Sequence, residues 1–139
     1  MKFKIITVLF MLASCAMKKD SGSKQQPVFT GGKWIIAEMM EMAVDSLKSG
    51  KQPPHLIFNL TDNRMSVYAG CNQMSSGFAI HGDTLVIQQM IATRMACPDM
   101  EYEMALERLL VPGNYSYLER ENSLSIFRNG SKVLNCERP

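Results

Sequence analysis

The chain has 139 residues, with 15 Lys and Arg against 13 Asp and Glu, a net charge of +2, and 46% hydrophobic residues. That length suits one domain rather than two, and that apolar content is ordinary for a globular core. No apolar run is long enough for a permanent membrane helix, and the near-neutral charge leaves no basic footprint for nucleic acid.

The first residues differ from the rest. Lys2 and Lys4 precede an unbroken apolar run from Ile5 to Leu12, followed by Ala13, Ser14 and Cys15. A basic start, a short apolar stretch and small residues predict a secretory signal over residues 1–14. The alternative, an ordinary N-terminal strand, sits poorly with the polar stretch that follows. Leu12-Ala13-Ser14-Cys15 resembles the bacterial lipobox, in which the cysteine becomes the first mature residue and is acylated. One acyl chain binds a membrane marginally and several hold it stably, so a lipidated Cys15 predicts an anchored protein. Losing Lys2 and Lys4 with the signal leaves 13 basic against 13 acidic residues. Residues 15–30, polar with Ser, Gly, Gln and Pro, read as a flexible tether, and residues 31–139 as the domain.

Within the domain, GGKWIIAEM predicts a strand carrying Trp34, the only tryptophan. MEMAVDSLKSGKQPP reads as a short helix or an irregular crossing, ended by Pro53-Pro54. HLIFNL alternates, which places Leu56, Phe58 and Leu60 on one face. MSVYAGCN alternates again, with Met65, Val67, Ala69 and Cys71 inward. GFAI and TLVI flank the hairpin signal HGD. One helix is predicted over about Asp99–Val111, opened by Pro98-Asp99 and stopped by Pro112-Gly113-Asn114. Tyr102, Ala105, Leu106 and Leu109 form its apolar face, while Glu103 and Glu107, like-charged and one turn apart, are expected to face water. YSYLE, SLSIF and KVLNC predict three closing strands, the last two joined at the tight-turn pair Asn129-Gly130. The expected fold is α+β: about seven or eight short antiparallel strands, a barrel-like or half-open sheet, and one packed helix at an open end or edge.

Three cysteines remain in the mature body: Cys71, Cys97 and Cys136. An exported chain favours pairing. Cys71 and Cys97 lie 26 residues apart with no CxxC spacing, and neither His55 nor His81 is near them in sequence. A cross-link tying the helix start to the sheet suits both positions and would contribute roughly 3.5 kcal/mol by chain entropy. A buried inert pair, a metal site or a nucleophilic thiol stay open as alternatives, and Cys136 is the spare. The 12 methionines include Met39, Met40 and Met42 in one cluster and Met95, Met100 and Met104 in another. Packing accounts for such residues, although clustered thioethers also suit Cu(I). Neither a phosphate-cradling glycine loop nor a GxSxG elbow occurs.

YAGCNQMSSGFAIHGDTLVI followed by ATRMACPDMEYEMALERLL resembles the META domain, the family of the heat-shock protein HslJ. The matching positions are Gly70-Cys71-Asn72, Gly77, Leu85 to Ile87, Thr93-Arg94-Met95-Ala96-Cys97, and a helix with a Glu near its start. Trp34 and HLIF also fit, over about Gly31 to Cys136. The first connection, EMMEMAVDSLKSGKQ, is longer and richer in Met than the family pattern. The resemblance implies a small barrel-like domain with one helix, similar in outline to secretion pilotins. It implies no catalytic residues and no cofactor. Gly70, Asn72, Thr93 and Met95 are expected to shape loops. Family members are linked to heat stress, drug tolerance and motility.

The expected protein is therefore a monomeric, non-enzymatic lipoprotein of the bacterial envelope. It is held at the outer membrane by its lipid anchor, with its domain facing the periplasm or the surface, and it serves envelope integrity or stress tolerance. The alternative is a binding module with a lipid or protein partner in the barrel mouth. A thiol- or copper-dependent role stands third.

Overall fold

A computed structural model describes residues 28–45 and 52–139. The expected signal, Cys15 and most of the expected tether lie outside the described residues, as does the middle of the first connection. Ten strands and one helix follow in chain order: β1 (Gly32–Met39), β2 (Met42–Ala43), β3 (His55–Asn59), β4 (Arg64–Tyr68), β5 (Gln73–His81), β6 (Thr84–Ile87), β7 (Ile91–Ala92), α1 (Glu101–Leu109), β8 (Gly113–Arg120), β9 (Ser123–Arg128) and β10 (Ser131–Glu137). Antiparallel pairing runs β1-β3-β4-β5-β6-β8-β9-β10, and β10 returns to β1. Eight strands thus close a barrel, which satisfies the ladder groups that an open sheet would leave at its edges. The short β2 adds to the end of β1, and β7 to the start of β5.

Period-two alternation fills the interior. Trp34, Ile36, Leu56, Phe58, Met65, Val67, Met74, Phe78, Leu85, Ile87, Tyr115, Leu124, Ile126 and Leu134 are all buried. Burying each large side chain contributes about 1.5–3 kcal/mol. A bulge between Ile36 and Glu38 shifts the phase of β1 against β10, so that Met39 also turns inward. Asn129 and Gly130, at φ 51° and 80°, make the turn between β9 and β10. Both values lie where a type I′ hairpin needs them.

Leu60 departs from the alternation. The strand stops at Asn59, whose side chain accepts the Thr61 N–H at 2.9 Å, and Leu60 swings into the turn, 47% exposed. The helix is also shorter than its sequence signals. Asp99 lies before its start and accepts the Glu101 N–H at 3.2 Å, while Val111 lies past its end.

Each barrel end is plugged. At one end Phe29, assigned by composition to the tether, makes edge contacts with Phe58, Phe78 and Tyr117 at 5.0 to 6.1 Å. Beside it the Arg138 guanidinium lies 3.7 Å over the Trp34 ring and donates to the Gly31 carbonyl at 2.9 Å. Arg138 also pairs with the half-buried Glu119 at 3.2 Å, and Glu119 accepts the Thr30 N–H at 3.0 Å. The chain's first and last described segments are thereby tied together.

At the other end lies α1. Its partners follow β2, β4 and β7 or open β8, which all fall at that end. The Tyr102 hydroxyl accepts the Asp45 N–H at 2.9 Å, Glu103 holds Asn72, Glu107 meets Arg94, and the Leu109 carbonyl accepts the Tyr115 hydroxyl at 2.9 Å. Tyr102, Leu106 and Leu110 join the barrel core. A nine-residue helix is marginal alone, so this docking holds it.

Among the described residues Cys136 is the free thiol, fully buried on β10. Burial pushes it up from 9.0 to about 12. The thiolate is the reactive form, so iodoacetamide at pH 8 should leave native Cys136 unmodified and label it only on unfolding. A folded value above the unfolded one stabilises fully below about pH 9 and is lost as pH rises through 12. Burial shifts Tyr115 and Tyr117 upward as well. Denaturation followed against pH should show a falling alkaline limb, shallower in Cys136→Ala.

Candidate functional site

Strand β4 ends at Tyr68, and the chain then turns through Gly70 at φ 123°, a conformation that a Cβ disfavours. The Tyr68 hydroxyl donates to the Gly70 carbonyl at 2.8 Å and closes the turn. The turn resets the alternation. Cys71, expected inward with Ala69, is only half-buried, and Asn72 takes the interior with no exposure.

Asn72 is a hub between two loops and the helix. Its Nδ2 donates to Glu103 Oε1 at 2.7 Å and to the Met95 carbonyl at 3.1 Å. Its Oδ1 accepts the Met95 N–H at 2.7 Å and the Thr93 hydroxyl at 2.8 Å. Its own N–H donates to Glu103 Oε2 at 2.9 Å. Thr93 Oγ1 in turn accepts the Gln73 N–H at 3.1 Å. Cys71 and Cys97 form a disulfide across the same two loops, with Cα atoms 6.3 Å apart.

Gly70, Cys71, Asn72, Thr93, Met95 and Cys97 therefore come together. Met95 contributes only its backbone, since its side chain is 56% exposed. The charge-based expectation for Glu103 fails: it is 2% exposed, while Glu107 stays near the surface and pairs with Arg94 at 3.2 Å. Helix phase explains the difference. Glu103 stands three residues before Leu106 and seven before Leu110, both buried, so it shares the docked face. That spacing was present in the sequence and outweighs a like-charge pair worth a few tenths of a kcal/mol.

The arrangement is structural in character. Both polar side-chain atoms of Asn72 and its N–H have partners, and no buried side-chain N or O among the described residues lacks one. The two motif cysteines are oxidised. His55 is buried, its Nδ1 2.8 Å from the Pro53 carbonyl and its ring tilted on Tyr68, whereas His81 is exposed. No group of three His, Cys, Asp or Glu gathers among the described residues.

A second feature adjoins the helix. Met39, Met40 and Met42 line an open groove of about 480 Å³ against Ala105 and Leu109. Glu41 and Arg108 line it as well. Met40 adopts φ 54° in the β1–β2 turn, a conformation costing a side-chain-bearing residue about 1–2 kcal/mol.

The META domain family model matches residues 27–138. No curated protein matches the chain. A protein from Burkholderia xenovorans, solved by NMR, superposes with a TM-score of 0.61 at 20% identity, over 78% of this chain and 82% of its own. A second NMR structure superposes with a TM-score of 0.59 at 18% identity, over 77% and 88%. At such identity these neighbours show a shared fold and nothing of activity. The motif residues, the closed barrel and a family match over most of the sequence agree: the chain belongs to the META domain family.

Proposed function

We propose that this is a lipid-anchored protein of the bacterial envelope, attached through Cys15 at the outer membrane. Its META domain acts as a monomeric, non-enzymatic unit in envelope integrity or stress tolerance. The supporting observation is the closed use of the motif: Asn72, Thr93 and Glu103 bond to one another and to local backbone, so they shape loops instead of meeting a substrate. Catalytic groups need free, directed polar atoms. A lipid or protein partner held in the barrel mouth would require α1 to lift Leu106 and Leu110 out of the core. This favours the structural role over that second reading.

The test is Cys15→Ser in the full chain, followed by fractionation and by labelling with radioactive palmitate. The wild type should label and sediment with outer membranes. The variant should do neither and should leave cells as sensitive to heat or detergent as a deletion does. An unlabelled wild type, or a variant still held at the membrane, would sink the anchor. Normal survival of the deletion strain would sink the stress role.

A further inference from the structure

The hairpin Met39-Met40-Glu41-Met42 carries two thioethers, those of Met40 and Met42, that neither the barrel nor the motif uses. Met39 and Met42 are register partners across β1 and β2, so their side chains leave the same face. Met40 sits in the turn between them, and all three line the groove over Ala105 and Leu109. Core packing explains Met39, which is 2% exposed, but not Met40 at 56% and Met42 at 40%. These two fill no interior gap. Met40 is moreover fixed in its left-handed conformation by its N–H, which donates to the Val133 carbonyl at 2.8 Å. Glycine or asparagine would take that turn with less strain, so the backbone holds a thioether at the apex against its preference.

Thioethers are soft, neutral donors. They select Cu(I) and offer little to hard cations such as magnesium or calcium. Ala105 and Leu109 give the groove an aliphatic wall that offers no competing ligand. Glu41 and Arg108, one of each sign, leave the groove without net repulsion toward a monovalent cation. We propose that Met39, Met40 and Met42 form a three-thioether site for Cu(I).

The experiment titrates the full chain, purified in detergent with its disulfide intact, anaerobically with Cu(I) against a chromophoric Cu(I) chelator. One equivalent should be withheld from the chelator. Met40→Leu combined with Met42→Leu should weaken retention by about tenfold or more, at least what losing an outer-shell partner costs a metal site. Both residues are exposed, so an unchanged Tm should confirm an intact fold. Met104→Leu, on the outer face of α1, should behave as wild type. Silver(I), a redox-inert surrogate, should move the labelled methyl signals of Met39, Met40 and Met42 while those of Met65 and Met74 stay put. The proposal is overturned if no Cu(I) is withheld, if the double leucine variant retains it, if Cys136→Ala abolishes it, or if an acyl chain occupies the groove and Cu(I) cannot displace it.

Discussion

Asn72→Ala should destabilise the domain by about 3–5 kcal/mol, the range for breaking a buried charged or polar network by removing one partner. The side chain makes four hydrogen bonds, and the substitution strands Glu103 Oε1, the Met95 N–H and the Thr93 hydroxyl together. Each orphaned buried group costs about 1–3 kcal/mol, less where water can reach it, as at the exposed Thr93. Urea unfolding followed by the fluorescence of Trp34, buried in the barrel, reads the change. The melting temperature should fall by roughly 15 °C. Asn72→Asp separates shape from charge. It sets a second carboxyl where Nδ2 now lies 2.7 Å from Glu103 Oε1. Two carboxyls that close cannot both ionise, so one would hold its proton more tightly when folded than unfolded. Such a raised value adds stability at low pH and withdraws it as pH rises. The Asp variant should therefore recover toward wild type on acidification, and the Ala variant should not. A loss below about 1 kcal/mol for Ala would mean that the network exchanges freely with water, against its burial.

Much of this architecture was written in local pattern. Alternation located the barrel strands, and Asn129-Gly130 marked a turn that the two positive φ values bear out. What escaped depends on partners distant in sequence. Leu60 fits the alternation of its strand, yet a single Asn59 side-chain bond ends that strand before it. Phe29 looked like tether because the stretch before it, residues 18–26, is polar, but a barrel needs a plug, and only closure creates the pocket formed by Phe58, Phe78 and Tyr117. Cys71 followed the phase of β4 until Gly70 broke it. The motif's residues were visible as a group, and their role as loop-shaping residues came with the resemblance. The hub itself was not visible, because Asn72 and Glu103 are 31 residues apart and meet only once the helix docks.

Removing the Cys71–Cys97 bond, as Cys71→Ser with Cys97→Ser, should cost about 3.5 kcal/mol and leave the barrel folded. The closed loop of 26 residues contains β5, β6 and β7, so the cross-link restricts a substantial part of the unfolded ensemble. In the chain-entropy account this term belongs to the unfolded state and would add independently to the Asn72 effect. The structure gives a reason for it not to. Cys71 immediately precedes Asn72, Cys97 stands two residues past Met95, and Cys71 Sγ lies 3.9 Å from the Met95 carbonyl that Asn72 also holds. Disulfide and hub pin the same two loops, and residues sharing one network couple by about 0.5–3 kcal/mol. The Cys71→Ser, Cys97→Ser, Asn72→Ala triple variant should thus lose less than the sum of its parts. Amide exchange gives a second readout, since α1 reaches the barrel partly through these loops. Without the disulfide, α1 protection should fall while β8, β9 and β10 keep theirs. Strict additivity with unchanged helix protection would confine the bond to the unfolded chain. Loss of protection in α1 alone would make it the clasp that keeps the helix on the barrel.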